Sequence, residues 1–136
     1  MKIKIKLVSK FTRASVEQDT DYLYVFGDNL SDSENGYVPS YTQAVIRGLP
    51  NAIGICTKRD RYTRDGSYLN DSDFGWFTTH VDYVMNQVRN SGKGIALPLM
   101  SVGTGKAKLK EKSPKCYKYL TEALSSLIDE FELVQS

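Results

Sequence analysis

A chain of 136 residues, 40% hydrophobic and 25% charged, has the size and make-up of one globular domain with a real core. No apolar run approaches the roughly 20 residues that a membrane helix needs, and a net charge of +2 is too small to mark a nucleic-acid binder by itself. Two cysteines and one histidine make neither a disulfide framework nor a zinc set, so both cysteines read as buried small side chains and no metal or other cofactor is expected.

Residues 2–8 (KIKIKLV) alternate, with Ile3, Ile5 and Leu7 on one face and lysines on the other. The pattern predicts a half-exposed strand at a sheet edge, where lysines discourage further pairing. It also lacks the continuous apolar run of a secretory signal, so the chain is expected to act in a cytoplasm. Residues 21–26 (DYLYVF), 52–56 (AIGIC) and 94–99 (GIALPL) are continuous apolar runs, as in strands of a parallel sheet covered on both faces. Between them, residues 41–48 (YTQAVIRG) predict a short helix stopped by Gly48 and Pro50.

Phe74, Phe77, Val81, Val84, Met85 and Val88 recur at helical spacing, and Asn90-Ser91-Gly92 closes that helix. Ser113-Pro114 opens a last helix, with Ser113 as N-cap and a buried stripe of Cys116, Leu120, Ala123, Leu124, Leu127, Ile128 and Phe131. Strands alternating with helices predict a three-layer α/β domain with a largely parallel sheet over residues 1–136. There is no internal repeat, linker or low-complexity tract.

Ligands of open α/β sheets bind beyond the C-terminal strand ends. Three predicted strands run into polar segments there: GDNLSDSENG (27–36), TKRDRYTRDGSY (57–68) and MSVGTGK (100–106). If the sheet is parallel, all three converge on one rim. The last fails the Walker A pattern, because Met100 stands at its first glycine and Ala107 follows Lys106. It fails the dinucleotide fingerprint too, with Lys108 in place of the third glycine. What remains is either a plain turn or a nest of backbone N–H groups for an anion, with Ser101, Thr104 and Lys106 as further donors.

Asp28 and Asn29, after Gly27, can accept from or donate to a ligand at the rim, or simply form an Asx turn. Thr57, Lys58, Arg59, Arg61 and Arg64, with Tyr62 and Tyr68 among them, can clamp a nucleotide, form a lid, or remain a solvated loop. His80, the only histidine, is expected exposed on a helix, which leaves Asp28 or another carboxylate to activate water in any hydrolysis. The lysines from Lys106 to Lys118 read first as a solvated face.

Taken together, YVFGDNL, TQAVIRGLPNAIGICTK and PLMSVGTGKAKL resemble a group of small phage-encoded proteins related to macrodomains, over residues 22–109. The resemblance implies a three-layer α/β/α macrodomain-like fold with a mixed, largely parallel central sheet. It further implies binding of an ADP-ribose-type nucleotide, with or without its hydrolysis, in the cytoplasm of a phage host. By position, Asn29 matches the residue that faces the distal ribose, and Asp28 is a looser match. Ser101, Val102, Gly103, Thr104 and Gly105 match the loop that wraps the diphosphate. Gly27, Gln43 of the Gln-Ala pair, Thr57, Lys58 and Lys106 complete the expected binding set.

In any turnover, water would be held by Asn29 or Asp28 and the diphosphate by the late-loop amides. Two departures stand out. Cys56 replaces a proline of the family pattern, and GYVPSYT (36–42) replaces its glycine-rich stretch, which reshapes the pocket and speaks against hydrolysis that relies on that loop. The alternative is a scaffold with a dead pocket that binds a host protein, for which nine tyrosines are suited. Membrane is not expected as a partner, and nucleic acid only as the weakest alternative.

Overall fold

The computed structural model describes residues 4–40, 42–99, 107–130 and 132–133. Five strands form one sheet: β1 (Lys4–Val8), β2 (Tyr22–Asn29), β3 (Ala52–Lys58), β4 (Gly94–Pro98) and β5 (Glu132–Leu133), in the order β3-β2-β4-β1-β5. Every ladder is parallel. The helices are α1 (Arg13–Gln18), α2 (Leu30–Asn35), α3 (Phe74–Asn90), α4 (Leu109–Lys112) and α5 (Pro114–Glu130).

Side chains alternate across each strand, and the two cores follow that alternation. Ile5, Leu23, Val25, Ile55, Ile95 and Leu97 pack under α3, α4 and α5 through Phe77, Val81, Val88, Leu109, Leu120 and Leu127. Tyr24, Phe26 and Ala96 face the other way, against Phe11, Val16 of α1, and Ala44, Ile46 and Leu49. One face therefore carries two long helices and the other a thin cover.

The N-terminal strand is not at the edge. β5 pairs it through Lys4↔Glu132 and Ile5↔Leu133, on the side away from β4. Nor do its lysines all face water: Lys6 binds Asp19 at 2.7 Å and stands 4.0 Å over the Tyr22 ring, whereas Leu7 is exposed. A sheet edge can be covered by a two-residue strand that hydropathy does not reveal.

The segment expected as a helix at 41–48 is a single 3₁₀ turn, Gln43–Ile46, because Arg47 already has extended ψ and Gly48 a φ of 89°. The two long helices stand as predicted. Phe77, Val81, Val84, Met85 and Val88 are buried in α3 while Phe74, at its first turn, is exposed. In α5, Ser113 Oγ accepts from the Cys116 N–H at 3.3 Å, and Cys116, Leu120, Leu124 and Leu127 are buried. Ala123 is partly buried, Ile128 is exposed, and Phe131 lies outside the described residues.

Candidate functional site

The strand order places a topological switch between β2 and β4. Connections from β1 to β2 and from β2 to β3 run through α1 and the 43–46 turn on the thin face, and those after β3 and β4 run through the long helices on the other. The chain leaves the C-terminal ends of β2 and β4 in opposite directions, the arrangement that opens a ligand crevice in parallel sheets.

The pairing opens it further. β2 and β4 are in register only from Tyr22↔Gly94 to Tyr24↔Ala96, although β2 runs on to Asn29. β4 stays with β1 through Val8↔Pro98, and the Leu99 N–H donates to the Val8 carbonyl at 2.8 Å. Pro98 has no N–H to offer a ladder. β2 meanwhile stays with β3, with a register shift that sets Asn29 opposite Lys58 rather than Thr57. Gly27, Asp28 and Asn29 thus belong to the strand, not to the loop after it, and among the described residues no ladder joins them on the β4 side.

Backbone groups of a parallel strand point alternately to its two edges. The Tyr24 N–H meets the Asn51 carbonyl on the β3 side, so the N–H groups of Gly27 and Asn29 point toward β4. Side chains take them instead. Gln43 Oε1 accepts from Gly27 at 2.7 Å, and Asp28 Oδ1 accepts from Asn29 at 2.7 Å.

Asp28 is buried and its carboxylate is bound by the buried Arg47 guanidinium, through Nη2 and, at 3.4 Å, through Nε. Arg47 Nη1 is buried with no acceptor among the described residues. Asn29 caps α2: Oδ1 accepts from the Asp32 N–H at 2.8 Å, and Nδ2 donates to Asp32 Oδ2 at 3.0 Å. Asp32 is buried in turn and meets Arg61 at 3.1 Å. Thr57 and Lys58 are buried in β3, and Lys58 Nζ donates to the Tyr62 carbonyl.

Ser101, Val102, Gly103, Thr104, Gly105 and Lys106 lie outside the described residues, so Gly27, Asp28, Asn29, Gln43, Thr57 and Lys58 are the predicted site residues that can be placed. These six converge on the ends of β2 and β3. Arg47 is what sequence reasoning missed. Its signal was an arginine at the end of an apolar stretch, AVIRGLP, where a charge needs a buried partner.

His80 is not an exposed helical residue. It lies half-buried on α3, and its Nε2 accepts from the Cys56 N–H at 2.9 Å on the outer edge of β3. Burial holds its pKa below the ordinary imidazole value, against the opposing pull of Asp28. The Cys56 thiol is pushed up to about 12, first by burial and then by the Asp28 charge, so it is no nucleophile at neutral pH. Beyond Cys56 the same edge is closed by the Arg59 N–H donating to the Ser67 carbonyl at 2.9 Å and by an isolated antiparallel bridge between Lys58 and Tyr68. Among the described residues no cluster of His, Cys, Asp and Glu is set to hold a metal, and no helix is long and apolar enough to cross a membrane.

These features define a parallel α/β domain whose switch point, between β2 and β4, is flanked by the polar end of β2. The model of a family of unknown function, DUF7831, matches residues 6–123, which hold both β2 and β4, and the chain belongs to that family. No curated protein and no solved structure matches the chain.

Proposed function

We propose that this chain is a macrodomain-like, three-layer α/β/α protein that binds an ADP-ribose-type nucleotide, or a related signalling derivative, in the crevice between β2 and β4. The observation that carries the reading is the early end of β2–β4 pairing at Tyr24↔Ala96, with Gly27, Asp28 and Asn29 in the part of β2 that runs on past it. Two backbone N–H groups there are held by side chains that a ligand oxygen can replace. The resemblance of YVFGDNL and PLMSVGTGKAKL to macrodomain relatives supplies the ligand class.

Binding is favoured over turnover. A general base must face water with a free lone pair, whereas the Asp28 carboxylate is sealed against Arg47 and the Asn29 amide is spent on capping α2. The proposed role, sequestering a host nucleotide on behalf of a phage, rests on the resemblance.

The test is a thermal-shift screen of ADP-ribose, its phosphorylated and cyclic forms, NAD and ATP. A ligand at a hundred times its Kd adds about 2.7 kcal/mol, which raises the melting temperature by several degrees in a domain of this size. No shift with any of them sinks the reading. Recovery of intact ligand after incubation separates a binder from a hydrolase.

A second reading, a scaffold that docks a host protein, draws on exposed Leu30, Tyr37, Val38 and Tyr62 around the replaced glycine stretch. It predicts partner capture that Tyr37→Ser with Tyr62→Ser abolishes, without any nucleotide response.

A further inference from the structure

Three ammonium groups surround one ring on the β3 side of the rim. Lys58 Nζ stands 5.0 Å from the Tyr68 ring centroid, Lys112 Nζ 5.1 Å and Lys108 Nζ 5.9 Å. Those distances cap the separation of any two of the charges at about 11 Å, close to the screening length of about 8 Å at physiological salt. Lys108 and Lys112 therefore repel one another, and the ring face offsets part of that cost.

Part of the arrangement is fixed in the fold, while Lys108 and Lys112 are exposed. Tyr68 is buried and bridged to Lys58, and Lys58 is itself buried and anchored on the Tyr62 carbonyl. Lys108 adopts φ 47° and ψ 36°, a left-handed conformation that residues with a Cβ rarely adopt. The ion pairs among the described residues are Lys6–Asp19, Arg47–Asp28, Arg59–Asp73, Arg61–Asp32 and Arg89–Glu130, and none reaches Lys108 or Lys112. Carboxylates lie nearby without an ion pair to Lys108 or Lys112: Asp60, which feels the Lys58 charge, Glu111 on α4, and Asp71, which accepts from Ser113 Oγ and the Lys115 N–H.

We infer that Tyr68, Lys58, Lys108 and Lys112 form a binding site for a phosphoryl group carrying at least two negative charges. Lysines act as separate point charges, which suits the spread oxygens of a phosphoryl group, whereas a single planar carboxylate is matched by a bidentate arginine. Lys58 is the register partner of Asn29, so the site adjoins the crevice and shares Lys58 with it, while Tyr68, Lys108 and Lys112 lie outside the crevice set. The inference does not depend on the crevice ligand being ADP-ribose.

The experiment titrates pyrophosphate into the full chain at fixed ionic strength, by thermal shift and calorimetry. A saturable response is expected. Lys108→Gln with Lys112→Gln should weaken it at least tenfold, and Lys115→Gln with Lys118→Gln should change it less than twofold. Should the first double variant fail to fold, Lys108→Gln and Lys112→Gln singly are each expected to weaken it at least threefold.

An absent or unsaturable response, or unchanged affinity in the Lys108 and Lys112 variants, overturns the site. So does salt-steep retention of single-stranded oligonucleotides with no response to pyrophosphate, which would make the cluster a nucleic-acid face. A pyrophosphate response without an ADP-ribose response supports this site and removes the crevice reading. ADP-ribose binding without any pyrophosphate response removes this site alone.

Discussion

Arg47 and Asp28 form an ion pair at the end of β2 in which the two side chains are only 8% and 4% exposed. Burying both charges is costly, and their attraction offsets that cost only while both are present. Arg47→Met should therefore destabilise the fold by about 3–5 kcal/mol, and Asp28→Asn by a similar amount. The double substitution should cost clearly less than the two singles together, because it leaves no orphaned charge. Urea denaturation of the four proteins measures the coupling.

Gly54 faces the same carboxylate. A Cβ built on it would lie 2.7 Å from Asp28 Oδ2, 3.0 Å from Asp28 Cβ and 3.0 Å from the Phe26 ring. Asp28 cannot move aside without leaving Arg47. Gly54→Ala is expected to cost about 1–3 kcal/mol, read as a lower urea midpoint with an unchanged slope.

Acid should weaken the fold through His80 before it reaches the carboxylates. His80 is held neutral, with Nε2 accepting from Cys56, and its folded pKa lies below the ordinary value near 6.5. In that window the unfolded chain binds more protons, so this contribution is complete above about pH 6.5 and declines as pH falls through the folded value. Asp19 and Asp73, held below the ordinary carboxylate value, add their own losses only at lower pH. Stability measured at pH 7 and pH 5 should differ less in His80→Gln than in the parent chain. An equal difference would show that His80 does not carry it.

The segment after β3 is latched to α2 rather than free. Arg61 meets the buried Asp32 at 3.1 Å and stacks 3.8 Å over the Tyr37 ring, and the Ser31 N–H donates to the Arg59 carbonyl at 2.9 Å. Because Arg61 is itself well exposed, Arg61→Ala should cost no more than about 1 kcal/mol globally. Local opening should rise much more, seen as faster amide exchange at Ser31.

What the sequence disclosed and what it hid divide along physical lines. Continuous apolar runs located β2, β3 and β4, and helical spacing located α3 and α5, because burial on a large face leaves a periodic mark. The convergence of Gly27, Asp28, Asn29, Thr57 and Lys58 also followed, since parallel strands put their ends on one rim. The Arg47–Asp28 pair was not legible. It joins a 3₁₀ turn to a strand end nineteen positions earlier, and no local pattern encodes such a contact. Nor was the role of His80, whose partner is a backbone N–H at the outer edge of β3.

The strand order also sets a timetable. Ile5 pairs with Ile95, some ninety positions later, and with Leu133 beyond that. Contacts so distant along the chain must close a long loop before they contribute anything, which slows folding. β2 and β3, joined by a much shorter connection, can pair long before β4 exists. The strand made first is thus among the last to find its place, and on the ribosome its apolar face must wait for nearly the whole domain.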